Sequence, residues 1–426
     1  MASTYLTRTP SSAGNRKTWT WSAWVKREFV SGGSDQTLFK AYVDSSNYTQ
    51  IRFLGSAFLD IRNVDLGSIT GRLETTRVFR DISAWYHIVV VWDTTNSTAG
   101  NRMRLYINGI EETSFSTDTN PNLNDDSTIN ENVVHWIGKA GFSGYPNYFT
   151  GSMSHINFID GTAYDPTAFG QYDANGVWTI KTSPSVTYGT NGFFILKDGN
   201  SVTDQSGNSN NFTVGGGTLT NTEDNPSNVF ATLNPLDSGG GGSYSNGNLT
   251  YQSNTSDLKA SASSFAINNG NAGKWYWEVK MDSKTGSVWQ IGTISSTSGY
   301  NASPHSQYSS GGQVYINGSL VTTVATYTTN DIISVAFDAT ISQVKFYKNG
   351  SLVTTQTITN SSNILMFAGS HSDSSAGHST YSFNFGNGYF GTTAVSSAGT
   401  NASGNGIFEY DVPTGYTALS TKGLNL

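Results

Sequence analysis

The chain has no cysteine, so it can build neither a disulfide framework nor a thiolate metal site, and its redox compartment cannot be read. Charge is scarce too. Only 12% of the 426 residues are Asp, Glu, Lys or Arg, about half the usual share. Lys and Arg number 23 against 30 Asp and Glu, a net charge of −7. Nucleic-acid binding rests on clustered cations that neutralise phosphates, so no nucleic-acid partner is expected. The longest apolar run, residues 88–92, falls far short of the ~20 residues of a membrane-spanning helix. Residues 1–19 contain no apolar h-region, so neither membrane insertion nor a cleaved signal peptide is expected. Glu, Lys, Leu and Ala are too few for long helices.

What remains is aromatic, small and polar. Aromatics make up 13% and there are 46 glycines, with Ser, Thr and Asn left to cover the surface. Thr and aromatic side chains suit pleated, half-buried strands, and a chain this long exceeds one ordinary core. The composition predicts an all-β protein of two or more domains. Residues 331–353 (DIISVAFDATISQVKFYKNGSLV) predict an apolar strand ending on Phe337-Asp338, a turn, a second strand and an Asn349-Gly350 hairpin. Residues 85–112 repeat that layout, with Trp92-Asp93 and Asn108-Gly109 in the matching places. Asn-Gly suits a two-residue turn whose central positions both need φ > 0. One such device in each half predicts two antiparallel β-sandwiches of jelly-roll type in tandem. In residues 17–26 a period of two puts Trp19, Trp21, Ala23 and Val25 inward, with Trp24 on a second covered face. In residues 274–281 it puts Trp275, Trp277 and Val279 inward and Tyr276, Glu278 and Lys280 outward. Glycine runs predict a division into residues 1–214, a linker at 215–248 and residues 249–426. Residues 229–235 are too apolar for a free linker and are expected to dock on a domain.

The first half resembles the laminin-G-like, concanavalin-type sandwiches. The residues that bear the resemblance are 19–25, Trp85-Tyr86-His87 running into 89–93, 104–109 and 148–161. The second half resembles the SPRY domain, through GKWYWEV (273–279), Ile291-Gly292, 331–337, 344–350 and FNFGNGYF (383–390). The tandem, with the phrases YDPTAFG, GTNGFF, FATLNPLD and the ending PTGYTALSTKGLNL, is similar in texture to structural proteins of tailed phages, particularly those of marine bacteria. That resemblance implies a non-enzymatic protein on the exterior of the virion, as capsid decoration, a head fibre or a compact tail appendage. It also implies other virion proteins and host-surface polysaccharide as partners, and a homo-oligomer. A tail-fibre receptor-binding adhesin and a polysaccharide-degrading enzyme are the alternatives.

Concanavalin-type sandwiches share their fold with glucanases, and glycoside hydrolysis needs two carboxylates flanking the bond in one cleft. Glu409 and Asp411 come nearest to that spacing, but lie in the C-terminal stretch. No cofactor is expected, with calcium the one candidate. The resemblance favours a hard cation at the sandwich rim, for which the loop acids Asp125, Asp126 and Asp160 could serve. Sugar binding needs aromatic faces for the apolar sides of pyranose rings, beside amides for the hydroxyls. Residues 142–148 (FSGYPNY) offer Phe142, Tyr145, Asn147 and Tyr148. In the SPRY-like half, Tyr300 and Tyr308 fall in a long polar stretch read as a loop, where loops on a rigid scaffold usually meet the partner.

Overall fold

The computed structural model describes residues 3–29, 33–141, 144–197, 202–238, 242–253, 260–270, 272–284, 289–295, 305–358, 364–371 and 379–425. It is a chain of strands. Among the described residues the helical elements are three short 3₁₀ turns, Ala99–Asn101, Pro166–Ala168 and Gly423–Asn425, and no helix is long and apolar enough to cross a membrane. The chain divides into two compact units, Met1–Asn221 and Thr222–Leu426.

The first unit packs two antiparallel sheets face to face. One runs, edge to edge, Phe115–Thr119, Ser68–Val78, Phe58–Asp65, Asn47–Phe53, Gln36–Asp44, His135–Ile137, Tyr5–Arg8, Thr213–Gly216. The other runs Phe193–Ile195, Gly151–Asp160, Thr18–Arg27, Trp85–Asp93, Met103–Ile107, Ile110–Glu111. Trp19, Trp21, Ala23 and Val25 are fully buried between them, as the period of two requires. Trp19 stacks on Trp92 at 5.9 Å, its neighbour in register, and Trp21 on Phe39 at 6.2 Å. A ring burying ~200 Å² contributes ~5 kcal/mol of transfer free energy before entropy is counted, so these pairs anchor the sandwich.

The outer face of the six-stranded sheet is covered as well. Asp165 caps the turn at Pro166–Ala168, accepting from Thr167 N at 2.8 Å, and sends the chain into the hairpin Gly170–Tyr172/Trp178–Ile180. Trp178 fits where Gly109 and Gly170 leave room, since a Cβ at either would lie 2.4 Å from its ring. Its indole donates to His87 Nδ1 (3.0 Å), and Trp24 stacks on that imidazole at 4.8 Å. This cover is why Trp24 is buried.

The second unit repeats the architecture. One sheet runs Leu233–Ser238, Ala260–Asn268, Ile364–His371, Trp289–Ser295, Ser306–Ser309, Gln313–Ile316, Ser319–Thr323. The other runs Ser243–Ser245, Thr250–Gln252, Thr380–Asn384, Lys274–Ser283, Ile332–Asp338, Gln343–Lys348, Ser351–Thr357. Trp275, Trp277 and Val279 enter the core between them, and Tyr276 and Glu278 point the other way. That face is nonetheless closed. Residues 408–418 pack over it, and Thr417–Ala418 pairs in parallel with Lys274–Ser283. Glu278 accepts from Glu409 N and Tyr410 N (both 2.9 Å), Tyr276 Oη (3.1 Å) and Asn384 Nδ2 (3.2 Å). Burial pushes its pKa up to about 7 against the pull of these four donors. Truncating it leaves buried donors unpaired, so Glu278→Ala is expected to destabilise the unit by about 2–3 kcal/mol, measured by chemical denaturation.

The matched turn devices are structural. Asn108, Asn317 and Asn349 have φ of 50, 48 and 47°, each followed by glycine at 80 or 81°. Asp93 and Asp338 take the same job, Asp93 Oδ1 accepting from Thr95 N (3.2 Å) and Asp338 Oδ1 from Thr340 N (3.0 Å).

The expected linker at 215–248 is corrected. Gly215 and Gly216 belong to the first unit, the strand Thr213–Gly216 pairing with Tyr5–Arg8. A Cβ on Gly215 would lie 2.3 Å from the Tyr5 ring, so glycine here permits close packing, not flexibility. Residues 229–235 are built into the second unit. Ala231 N donates to Leu419 O (2.9 Å), and Leu233 is buried in the core.

Candidate functional site

On the eight-stranded sheet of the first unit, Leu6, Ile137, Ala41, Ile51, Ile61 and Leu73 point into the core. The residues alternating with them therefore share the outer face. Register aligns them across strands: Trp136 beside Lys40, Lys40 beside Gln50, Gln50 beside Arg62, Arg62 beside Arg72. Tyr42 and Tyr48 form a neighbouring pair, and Arg52, Asp60 and Glu74 another row.

This face alternates rings and basic side chains. Lys40 Nζ sits 4.9 Å from the Tyr42 centroid and 4.3 Å from that of Tyr48. Lys40 is fully buried among them. Burial, with the Arg52 and Arg62 charges adding, pushes its pKa down to about 6. Trp136 meets Tyr42 edge-on at 6.2 Å. Residues 138–141 pass beside this ring, with Gly141 at φ 75° where a Cβ would lie 3.0 Å from the indole, and residues 144–150 lead back to the sheet. The loop is tied down by Thr37 N donating to Asn147 O (3.0 Å) and Ala140 N to Pro146 O (2.7 Å). Tyr148 reaches Tyr5 at 6.0 Å, with Lys139 Nζ 4.2 Å above the Tyr5 ring. Tyr145 stands clear, 74% exposed.

Beyond Lys40, Asp60 is fully buried and accepts from Nε of Arg52 (2.9 Å), Arg62 (2.8 Å) and Arg72 (2.7 Å). Burial acts to raise its pKa. The Arg52 and Arg62 charges and the hydrogen bonds from Arg62 and Arg72 outweigh it, holding the carboxyl below its usual range. Arg52 also pairs with Asp35 (2.5 Å) and Arg72 with Glu74. Four cations, Arg52, Arg62, Arg72 and Lys139, thus share with three acids one face of a chain whose net charge is −7. The arrangement can hold a planar or pyranose ring against the aromatics and direct guanidinium N–H groups at an anion.

The loop of Tyr145, Asn147 and Tyr148 is thus joined to a face that the sequence reading passed over. The signal was there in KAY (40–42), NYTQIR (47–52) and DIR (60–62), where outward positions are aromatic or cationic at a period of two. Phe142 and Tyr300 lie outside the described residues. Tyr308 is corrected from loop to strand. It lies in Ser306–Ser309, fully buried, packed on Tyr327 at 5.0 Å and Phe346 at 5.7 Å, and cannot meet a ligand.

The calcium candidates are corrected too. Asp126 pairs with Lys17 Nζ (2.8 Å) and Asp125 accepts from Asn122 N (2.8 Å). Asp160 accepts from Asn130 Nδ2 (2.6 Å), Asn15 N (2.8 Å) and Asn191 N (3.0 Å). Asp126 is engaged by an ammonium, Asp160 by three N–H donors and Asp125 by one backbone N–H. Among the described residues no three His, Cys, Asp or Glu gather as metal ligands. Glu409 and Asp411 likewise bond locally, to Ser396 N and Thr400 N (both 2.6 Å).

Comparison with known proteins agrees with the architecture. Residues 2–167 match the model of the Concanavalin A-like lectin/glucanases superfamily, and residues 274–387 that of the SPRY domain. No curated protein matches the chain. Among solved structures it is similar to the SPRY domain of human HERC1 (15% identity, 35% of this chain and 96% of that one, TM-score 0.31). It is also similar to a heptameric SAP-like pentraxin from Limulus polyphemus (17% identity, 38% and 72% covered, TM-score 0.29). Both domain types are binding folds, generally non-enzymatic, compatible with carbohydrate or protein ligands. The chain is a concanavalin-like domain followed by a SPRY domain.

Proposed function

We propose that this is a non-enzymatic binding protein whose first domain holds an acidic polysaccharide on the outer face of its eight-stranded sheet. The observation behind this reading is that the half-buried rings of Trp136, Tyr42 and Tyr48 share one face with the half-buried guanidiniums of Arg52, Arg62 and Arg72, set in register over the buried Lys40 and Gln50. Half-buried rings offer stacking surface for sugar faces, and the guanidiniums around Asp60 offer paired donors for carboxylate or sulfate. Tyr145, Asn147 and Tyr148 extend the same surface at its border.

Affinity electrophoresis in alginate, dextran sulfate and neutral dextran tests it. Retardation is expected in the two acidic gels and not in the neutral one. Trp136→Ala and Tyr48→Ala should each weaken it by roughly 10-fold or more, since stacked aromatics are worth ~1–3 kcal/mol. Tyr145→Ala and Tyr148→Ala should have smaller effects. Equal retardation of wild type and all four variants would sink the proposal.

The place of this binding is the exterior of a tailed-phage particle, as capsid decoration, a head fibre or a compact tail appendage. This rests on the phrases YDPTAFG, GTNGFF, FATLNPLD and PTGYTALSTKGLNL alone. Locating the chain in an intact particle by electron microscopy tests it, and its absence from purified virions would overturn it.

A further inference from the structure

Residues 317–323 and 349–355 are the same heptapeptide, NGSLVTT. Each begins with an Asn-Gly turn of matching φ and continues into the terminal strand of a sheet of the second unit. Ser319–Thr323 ends the seven-stranded sheet and Ser351–Thr357 the eight-stranded one. Even their irregularities match, with a register shift between Val314 and Tyr315 in one pairing and between Phe346 and Tyr347 in the other. One hydrogen bond joins their surroundings: Lys348 Nζ, beside the second edge, donates to Thr326 O just past the first (2.7 Å).

Apart from that one register shift each, both edges lack the sequence features that normally keep a sheet end from pairing with another chain. Residues 319–329 and 351–358 contain no charge, proline or glycine. Leu320, Val321 and Leu352 are 56, 45 and 56% exposed. The opposite ends of these sheets are blunted. Leu233–Ser238 carries Pro235 and Asp237, and Ser243–Ser245 is only three residues long.

We infer that these duplicated edges are a self-association surface, at which a second copy of this chain adds its own SLVTT strand in antiparallel register. A second copy is the occupant because SLVTT complements itself. Laid antiparallel about Val321, it sets Val against Val and Leu against Thr, with no charge to repel or to demand a counter-charge. A partner of another sequence would gain nothing from having the same strand at both edges. For a second copy, the duplication doubles the hydrogen-bonded ladder that two-fold pairing forms.

Sedimentation equilibrium of the full chain from 1 to 100 μM tests this, with Leu320→Lys, Leu352→Lys and the double variant. Wild type is expected to associate. Each single Lys should raise the dissociation constant by roughly tenfold, because it replaces an apolar contact opposite a partner Thr with an ammonium diagonal to the like charge of the second copy, and the double variant should be monomeric throughout. All three should keep the wild-type circular dichroism and, at concentrations where the wild type is dissociated, its melting temperature, since the replaced side chains are exposed. A monomeric wild type at 100 μM, or a folded double variant that associates as wild type does, would overturn the inference.

Discussion

Asp60→Asn is expected to destabilise the first domain by about 3–5 kcal/mol, because it removes the one buried anion that three guanidiniums share. The carboxylate is fully buried, and the side chains of Arg52, Arg62 and Arg72 are 12, 15 and 21% exposed. Asparagine keeps the shape but turns a charge that neutralised its neighbours into an amide that also presents N–H groups to them. Partial exposure of the arginines favours the lower end of the range. Chemical denaturation followed by amide exchange over Phe58–Asp65 measures the loss at the right place. A shift under ~1 kcal/mol would mean that solvent, not Asp60, balances these charges.

The second large effect is acid lability of the same domain. His87 and His135 are buried and neutral, each with both ring nitrogens occupied. His87 Nδ1 accepts from the Trp178 indole (3.0 Å), so its Nε2–H donates to Ser22 Oγ (2.9 Å). His135 Nε2 accepts from Asn130 N (2.9 Å), so its Nδ1–H donates to Val133 O (2.8 Å). A second proton on either ring would face a donor. Burial pushes the two pKa values down, to about 3 and about 4, from the ordinary 6.5. Between pH 6.5 and 4 the unfolded chain therefore binds more protons than the folded one, and stability falls as pH falls. The slope is ~1.4 kcal/mol per pH unit for each histidine, ~2.7 for both.

Lys40, whose pKa is lowered from 10.5 to about 6, adds the same sign over a higher window. In the SPRY domain Glu278 has the opposite sign. Its pKa is raised from 4.5 to about 7, so its contribution grows as pH falls through that interval. Amide exchange at pH 7 and 4.5, corrected for intrinsic rates, should show protection falling in the first domain and holding in the second. Equal protection of the first domain at both pH values would refute the assignment of neutral, doubly bonded histidines.

These effects also show how legibility divides. Trp19 and Trp277 could be placed in cores because a period of two is a property of the strand itself. Asn-Gly at 108, 317 and 349 could be read as hairpins because the φ > 0 requirement is local. The outward members of the same strands could not be sorted that way. Trp24 announced its cover, since a tryptophan on the second face needs one, and a hairpin supplies it. Glu278 read as facing away from the core, yet the C-terminal stretch seals it. Nothing within its own strand gave that, nor the place of Tyr42 beside Lys40 and Trp136. Tyr308 failed for a related reason, since its short strand sits in a polar stretch and owes its burial to Tyr327 and Phe346.

The sequence by itself determined the fold class, the two sandwiches, their inward tryptophans and their turns, because alternation and turn chemistry act between residues a few positions apart. Tertiary structure alone decided where the first domain ends, which outward faces stay open, and which side chains gather on them. Tyr5, Trp136 and Lys40 lie on successive strands of one sheet although far apart in the chain. Such neighbours are created by strand order and register, and the chain acquires those only when it folds.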